Sequence, residues 1–474
     1  MNPAGGLALA RRTGQKEPMV SILFDRGTLL LDNVPKEAMP QGFTWDDRVR
    51  KPRADARLYH SLILHYHGLK LPYEDKARAY GKLEDLVHQT AYRPRPYQAE
   101  AVEKWEEGGR RGVVALPTGA GKSFVAELCI ARCARNTLVI APTIDLVNQW
   151  HKILSRAFGL PVGMLGGGQH EIREITVSTY DSAYLHLDRY GDRFGLVIFD
   201  ECHHLPSESY AQIAEMCIAP FRLGLSATPE RPDGLHSRLD DLVGPMVYAK
   251  GIRELSGRVL ADYEVVRLDV ALSPEEQAAY EAARLTYKRF VANRGIRMGA
   301  TNGWQQFLRE AGRSKEGRAA MRAHRESRRI THGTASKIEE LEEILAMNEG
   351  RRTIVFTNDN ATVYRISREL GIPCITHETG AEERRQILER FGQGVYMAVV
   401  TSRVLNEGVD IPEAQVGVVL SGSSTVREHV QRLGRILRPS AGKRAILYEL
   451  VTVGTVEEYS SERRNLHDAY RQDP

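Results

Sequence analysis

The chain has 474 residues, 65 Lys/Arg against 61 Asp/Glu for a net charge of +4, and 42% apolar and 27% charged residues. Such a length corresponds to about three domains and folds without disulfide or metal staples, and the balanced composition excludes a disordered or collagen-like polymer. Five cysteines (Cys129, Cys133, Cys202, Cys217, Cys374) form no C-x-x-C pair, which excludes a zinc-ribbon or iron–sulfur protein and points to a reducing compartment with buried thiols.

Residues 1 to 88 read as a separate small domain of mixed type. SILFDRGTLLL (21–31) predicts strand, tight turn at Asp25 to Gly27, and strand. Trp45 to Tyr66 alternates charged and aromatic residues, and a helix is predicted from about Tyr73 to Gln89. From residue 89 the pattern changes. GVVAL (112–116) leads into a Pro/Gly loop and a helical repeat over Lys122 to Arg135, and apolar runs recur at Leu138–Ile140, Ile175–Val177, Leu196–Phe199 and Phe221–Leu225. Continuous apolar strands separated by helices predict a parallel sheet covered on both faces. A second series places strands at 353–356, 397–400, 416–420 and 445–450, with helices at 359–371, 380–391 and 425–437. The expected fold is α/β, with two tandem parallel-sheet units over 89–258 and 259–474 behind the domain at 1–88.

The second unit is interrupted by a basic helical insertion at about 280–332. Residues 284 to 330 hold thirteen Lys/Arg against three Glu, a local charge of +10, so the rest of the chain is acidic in aggregate. Gly295 to Gly303 reads as a loop between helices. A cationic segment of this kind grips phosphates in a salt-dependent way, and Tyr287, Trp304 and Phe307 are available to stack on bases; a solvated helical hairpin is the alternative.

LPTGAGKS (116–123) falls where a strand gives way to a helix. There the loop that opens at Pro117 turns the backbone N–H groups of Thr118, Gly119, Ala120 and Gly121 onto phosphate oxygens, Lys122 reaches the β and γ phosphates, and Ser123 sits on Mg²⁺. Leu116 replaces the first glycine of the strict pattern. LVIFDECHH (196–204) ends an apolar strand in two carboxylates, where a nucleotide site opens on a parallel sheet. Asp200 holds Mg²⁺ and Glu201 orients and deprotonates the attacking water. His203 and His204 invite zinc, but no further ligand set accompanies them. The two motifs together, about 80 residues apart on one sheet, indicate nucleoside triphosphate hydrolysis.

Arg95-Pro-Tyr-Gln98 lies upstream of the loop. The Gln98 amide suits the N6/N7 edge of adenine; a polar residue at a helix start reads equally well from the four residues alone, but the position upstream of the phosphate loop favours adenine reading by Arg95 and Gln98, and hence ATP. Gln431, Arg435 and Arg438 in QRLGRILR share one helix face, with Leu433, Ile436 and Leu437 on the other. Guanidinium groups so placed stabilise the charge spreading over a transferring γ phosphate. Gly408 and Asp410, beyond the strand end at Thr401, are read either with the nucleotide site or as a loop with a helix cap.

Eight motifs in order, RPYQ (95–98), LPTGAGKS (116–123), APTIDLVNQW (141–150), DECHH (200–204), LSATPE (225–230), IVFTNDN (354–360), VVTSRVLNEGVDIP (399–412) and QRLGRILRP (431–439), resemble superfamily 2 helicases and closely the short archaeal and bacterial form of the XPB branch. The resemblance implies two RecA-like domains with ATP in the cleft between them, Ser226 and Thr228 coupling hydrolysis to movement, and Thr143, Gln149 and Thr401 contacting a nucleic-acid strand. It implies that residues 1 to 88, with Trp45 to Arg50, sense DNA damage and that the basic insertion is the family's thumb, carrying Arg322, Arg325 and Arg329. The family's Arg-Glu-Asp element corresponds to Arg231-Pro232-Asp233; the missing carboxylate puts unwinding strength in question and leaves ATPase and translocation intact. The implied function is 3' to 5' opening of DNA in nucleotide excision repair. A DNA-binding ATPase that positions a structure-specific endonuclease is the alternative. Forked, bubbled, damaged or single-stranded DNA is the expected partner of a monomeric protein of the prokaryotic cytoplasm and nucleoid. No apolar run of about 18 residues occurs, so no membrane association is expected.

Overall fold

The computed structural model describes residues 19–231, 233–255, 262–300, 302–402, 414–421 and 444–465. The chain forms two compact units, one reaching Leu116 and resuming at Gly121–Ala249, the other running from Lys250 and including the short loop Pro117–Ala120. The division falls at Ala249, a few residues before the expected boundary at 258, and the N-terminal domain packs within the first unit.

That domain is a five-stranded sheet in the order β3-β4-β2-β1-β5, made of β1 (Val20–Asp25), β2 (Thr28–Asp32), β3 (Thr44–Asp46), β4 (Lys51–Asp55) and β5 (Tyr73–Asp75). Arg26 and Gly27 both take positive φ in the β1–β2 hairpin, as a tight turn matched to strand twist requires. Gly27 is doubly constrained, because a Cβ there would stand 2.6 Å from Met216 Cγ. Ile22, Leu29 and Leu31 pack on Tyr59, Leu62 and Tyr66 of the helix Tyr59–Gly68.

The helix expected over 73–89 does not form. Tyr73–Asp75 pairs in parallel with β1, and the chain from Lys76 to Arg95 runs without helix across the first unit. Its backbone donors bond to that unit instead of to one another: Ala79 N to Asp192 O (3.1 Å), Leu83 N to Ala134 O (2.9 Å) and Gln89 N to Ala157 O (2.6 Å). Tertiary partners here outweigh local propensity.

The first RecA-like sheet contains β6 (Arg111–Ala115), β7 (Thr137–Ala141), β8 (Val162–Gly166), β9 (Gln169–His170), β10 (Ile175–Thr179), β11 (Leu196–Asp200), β12 (Phe221–Ser226) and β13 (Met246–Ala249), in the order β13-β6-β12-β11-β7-β10-β8-β9. All its pairings are parallel except β8 with β9. The central strands β7 and β11 are buried throughout, hence their runs of apolar residues, whereas β9 and β13 at the sheet edges are partly exposed. In register, Asp200 faces Leu225 and Ser226 faces Ala115, which lines up the C-terminal ends of β11, β12 and β6.

The second unit holds the parallel sheet β14-β19-β18-β15-β17-β16, built from β14 (Asp262–Val270), β15 (Thr353–Phe356), β16 (Cys374–Ile375), β17 (Ala398–Thr401), β18 (Val416–Val419) and β19 (Arg444–Thr452). The expected helix at 425–437 lies outside the described residues. The basic insertion is a three-helix projection, Pro274–Asn293, Gly303–Arg313 and Lys315–His332. Its own core is Tyr287, Phe290, Ile296, Phe307, Ala311 and Ala320. Tyr287 and Phe307 are therefore structural: Phe307 has no exposed surface, and the hairpin closes over both rings because a three-helix projection needs an apolar centre. Of the three rings expected to stack on bases, Trp304 is the exposed one.

Both roots of the projection are pinned to the body of its unit. Glu276 accepts from Thr334 Oγ1 (2.6 Å), Tyr280 OH from Val456 N (3.0 Å), Thr331 O from Thr452 Oγ1 (2.9 Å) and Gly333 O from Arg365 Nη1 (2.7 Å). Among the described residues no helix is long and apolar enough to cross a membrane.

Candidate nucleotide and nucleic-acid sites

The phosphate loop joins β6 to the helix Lys122–Cys133, as its sequence requires. Gly119 and Gly121 take φ of +85° and +79°, the left-handed region open to glycine. Gln98 sits at the third position of the helix Pro96–Glu107, and its Oε1 accepts from Arg95 N at 3.0 Å. The side-chain oxygen thus serves the helix cap, the plain alternative raised for it. Its Nε2 faces the loop, because a Cβ at Gly121 would lie 2.5 Å from it.

Lys122 Nζ donates to Leu116 O at 3.3 Å and lies 3.8 Å from Glu201 Oε1. With its side chain 10% exposed, this ammonium is nearly buried on one long hydrogen bond and one distant carboxylate, an environment that favours an incoming anion. Asp200 ends β11, one strand removed from β6. Its Oδ2 accepts from Trp150 Nε1 (2.8 Å) and its Oδ1 from Glu201 N (3.0 Å). Burial, reinforced by the Glu201 charge, pushes the Asp200 carboxyl up to about 6. A bound cation reverses that cost. A divalent ion held by the Asp200 carboxylate and the Ser123 hydroxyl would complete its shell with phosphate and water oxygens, which suits Mg²⁺.

Glu201 adopts φ +46°, a rare backbone for a non-glycine residue. The turn it makes starts the short 3₁₀ helix Cys202–His204 and leaves its carboxylate between Lys122 and His203, with Oε2 3.4 Å from His203 Nδ1. His203 Nδ1 is also 3.2 Å from Ser226 Oγ, which accepts from Thr228 N at 3.2 Å. A continuous polar path thus runs from the acidic pair to the expected coupling residues, and Thr228 Oγ1 is buried without a hydrogen-bond partner among the described residues.

The residues expected to touch nucleic acid fare differently. Thr143 spends its hydroxyl capping the helix Ile144–Phe158, accepting from Leu146 N, and Gln149 is half-buried on that helix. Thr401 is fully buried and donates to Ser402 O, which leaves it no surface for a strand. Arg231 forks onto Asp233 (2.9 and 2.5 Å) and donates to His203 O, and these bonds hold the Asp233 carboxyl down at about 2. Arg322, Arg325 and Arg329 are exposed on one face of the helix Lys315–His332, but Arg329 is tied to Glu326. In the N-terminal domain Asp46 gathers Arg48 and Arg53. Gln431, Arg435, Arg438, Gly408, Asp410 and Pro232 lie outside the described residues.

Sequence reasoning missed Trp150, which closes the third motif, and Tyr180, whose hydroxyl donates to Asp200 O at 3.0 Å. The only signal for the first was its place at the end of a recognised motif.

A doubly wound sheet with a phosphate loop and an acidic pair at strand ends one strand apart, followed by a second parallel sheet, defines a helicase-type nucleotide motor. Three family profiles match: the damage recognition domain of xeroderma pigmentosum group B helicase over residues 22–77, the res subunit of type III restriction enzymes over 91–231, and the helicase conserved C-terminal domain over 336–440. The DNA 3'-5' translocase XPB2 of Sulfurisphaera tokodaii is 40% identical over 94% of this chain and 100% of its own length. The DNA 3'-5' helicase XPB of Mycobacterium tuberculosis is 30% identical over 80% of this chain, which spans 64% of that relative. The crystal structure of the Pyrococcus furiosus Hef helicase domain superposes with a TM-score of 0.51 at 20% identity, over 80% of this chain and 99% of that one, and so shares the fold. The chain belongs to the XPB family.

Proposed function

We propose that the chain is an ATP-dependent DNA translocase and helicase that moves 3' to 5' and opens duplex DNA in nucleotide excision repair. The observation that carries the reading is the placement of Lys122 3.8 Å from Glu201, which follows Asp200, on the same edge of one parallel sheet, with β12 between the strand that leads to the loop and the strand that ends in the acidic pair. Lys122 binds the β and γ phosphates, Asp200 and Ser123 hold Mg²⁺, and Glu201 orients and deprotonates water. The ion supplies charge neutralisation at the phosphates. Arg322 and Arg325 bind the DNA backbone. The decisive measurement is ATP turnover with and without single-stranded DNA: wild type is stimulated by DNA, and Lys122→Ala loses at least about 100-fold. Turnover indifferent to DNA, or surviving in Lys122→Ala, refutes the reading.

A second reading is supported by the Arg231–Asp233 pair, whose charges are committed to each other. In it, unwinding is weak and the translocating ATPase positions a structure-specific endonuclease, acting as a monomer in the prokaryotic nucleoid. Strand separation on a forked duplex tests it. Pro232→Glu should raise the rate, and no gain removes the Arg-Glu-Asp element from the argument.

A further inference from the structure

Trp304 stands apart from the other large aromatics of the basic projection. It is 43% exposed, whereas Tyr287, Phe290 and Phe307 are buried. Its indole is not adrift. The ring lies 5.2 Å from Phe307 at an interplanar angle of 31° and 5.2 Å from the His324 imidazole at 50°, and His324 in turn stacks on Tyr287 at 5.0 Å. Three rings from three helices thus back one exposed indole, which fixes its orientation before any ligand arrives. One turn along the same helix, Leu308 is 46% exposed and extends the apolar surface.

The surroundings are cationic. Burial first, and then the charges of Arg328, Arg284 and Arg325, hold the His324 imidazole down at about 4. The support under the indole is therefore a neutral imidazole at physiological pH, which stacks without adding a buried charge. Arg325 and Arg328 are exposed, as is Arg322 a turn away, and none of the three makes an ion pair among the described residues.

We propose that Trp304 is a stacking platform for an unpaired base of single-stranded DNA, with Arg325 and Arg328 on the flanking phosphates. This site rests on the reading of the chain as a DNA-driven motor and names where the projection holds a separated strand. The occupant follows from chemistry. A flat, pre-oriented indole packed on the helix that exposes Arg322, Arg325 and Arg328 matches a base between two phosphates, whereas a paired duplex keeps its base faces covered. A protein partner would have to bring acidic groups to the same arginines.

The test is binding of fluorescein-labelled oligo(dT) and of a blunt duplex of equal length to the full chain, across a salt series. Trp304→Ala should weaken oligo(dT) binding by about 5- to 100-fold, spare the duplex within about twofold, and leave the slope of log K against log salt unchanged, because a ring and not a charge is lost. Trp304→Phe should restore binding to within about threefold. Trp304→Leu keeps an apolar group against Phe307 and His324, so it must behave like the alanine variant; if it binds like phenylalanine, packing rather than stacking is responsible and the proposal fails. Equal losses on duplex and single strand also overturn it. So does unchanged binding by Trp304→Ala while Arg322→Gln and Arg325→Gln each weaken binding and lower the slope by about one, an outcome that leaves the motor reading standing. A wild-type chain that neither binds oligo(dT) nor hydrolyses ATP faster in its presence removes both.

Discussion

Trp150 donates its indole N–H to Asp200 Oδ2 at 2.8 Å across 50 residues of sequence, so the helix carrying Thr143 and Gln149 is hydrogen-bonded directly to the acidic strand end. Both side chains are almost wholly buried. Trp150→Phe keeps the ring and removes the donor, which leaves a buried carboxylate oxygen unsatisfied at about 1–3 kcal/mol. The expected outcome is a higher Mg²⁺ concentration for half-maximal ATP turnover and a lower urea midpoint, read by titrating Mg²⁺ at saturating ATP and by equilibrium unfolding.

Gly121 is constrained twice, by φ +79° and by Gln98 Nε2 standing 2.5 Å from where a Cβ would be. Gly121→Ala should weaken ATP binding at least about tenfold, for a backbone strain of about 1–2 kcal/mol together with displacement of the loop. Adding Gln98→Ala removes the clash but not the strain, so calorimetric titration with nucleotide should show partial recovery.

Lys337 is fully buried in the second unit and donates to Glu457 Oε2 and to Leu420 O, each at 2.6 Å; the same Oε2 accepts from Thr452 N. Lys337→Met strands the Glu457 charge and should cost about 3–5 kcal/mol, while the double variant Lys337→Met/Glu457→Leu should recover most of that loss. Urea unfolding followed on the second unit separates the two cases.

His324 titrates at about 4 in the fold, depressed first by burial and then by Arg328, Arg284 and Arg325. The unfolded imidazole binds its proton near 6.5. Above that both states are neutral; between about 6.5 and 4 the unfolded state alone is protonated, so stability falls as pH falls, and below 4 the effect levels off. The full shift corresponds to about 3 kcal/mol, and solvent screening around a half-buried ring reduces the expected effect to about 1 kcal/mol. Hydrogen exchange in Gly303–Arg313 and Lys315–His332 should accelerate over that window in wild type and much less in His324→Phe.

The phosphate loop, the acidic pair and most core strands were legible in sequence because each is local: a glycine pattern, a run of apolar residues, a carboxylate pair at its end. Trp150 was not, since nothing in a linear reading pairs it with a carboxylate on another strand. The segment Tyr73 to Gln89 misled for the same reason, its backbone donors being satisfied by residues far along the chain, such as Ala134, Ala157 and Asp192. Aromatic residues among arginines look alike in sequence; only packing separates Phe307, at the centre of its hairpin, from Trp304 at the surface. Gln98 shows the opposite limit, since its oxygen accepts from Arg95 N at the helix start while its Nε2 faces the phosphate loop, and a linear reading does not divide one amide between two tasks.

The pinned roots of the basic projection make it a mechanical arm. With Glu276, Thr331 and Gly333 bonded to the body of the second unit, the first helix, 20 residues long, extends about 30 Å with no hinge at its base. A rotation of the unit by about 10° would carry the far end through about 5 Å, more than the ~3.4 Å separating successive nucleotides of one strand. A small rotation of that unit would thus be geared up, at the far end of the arm, to the length of one step along a strand.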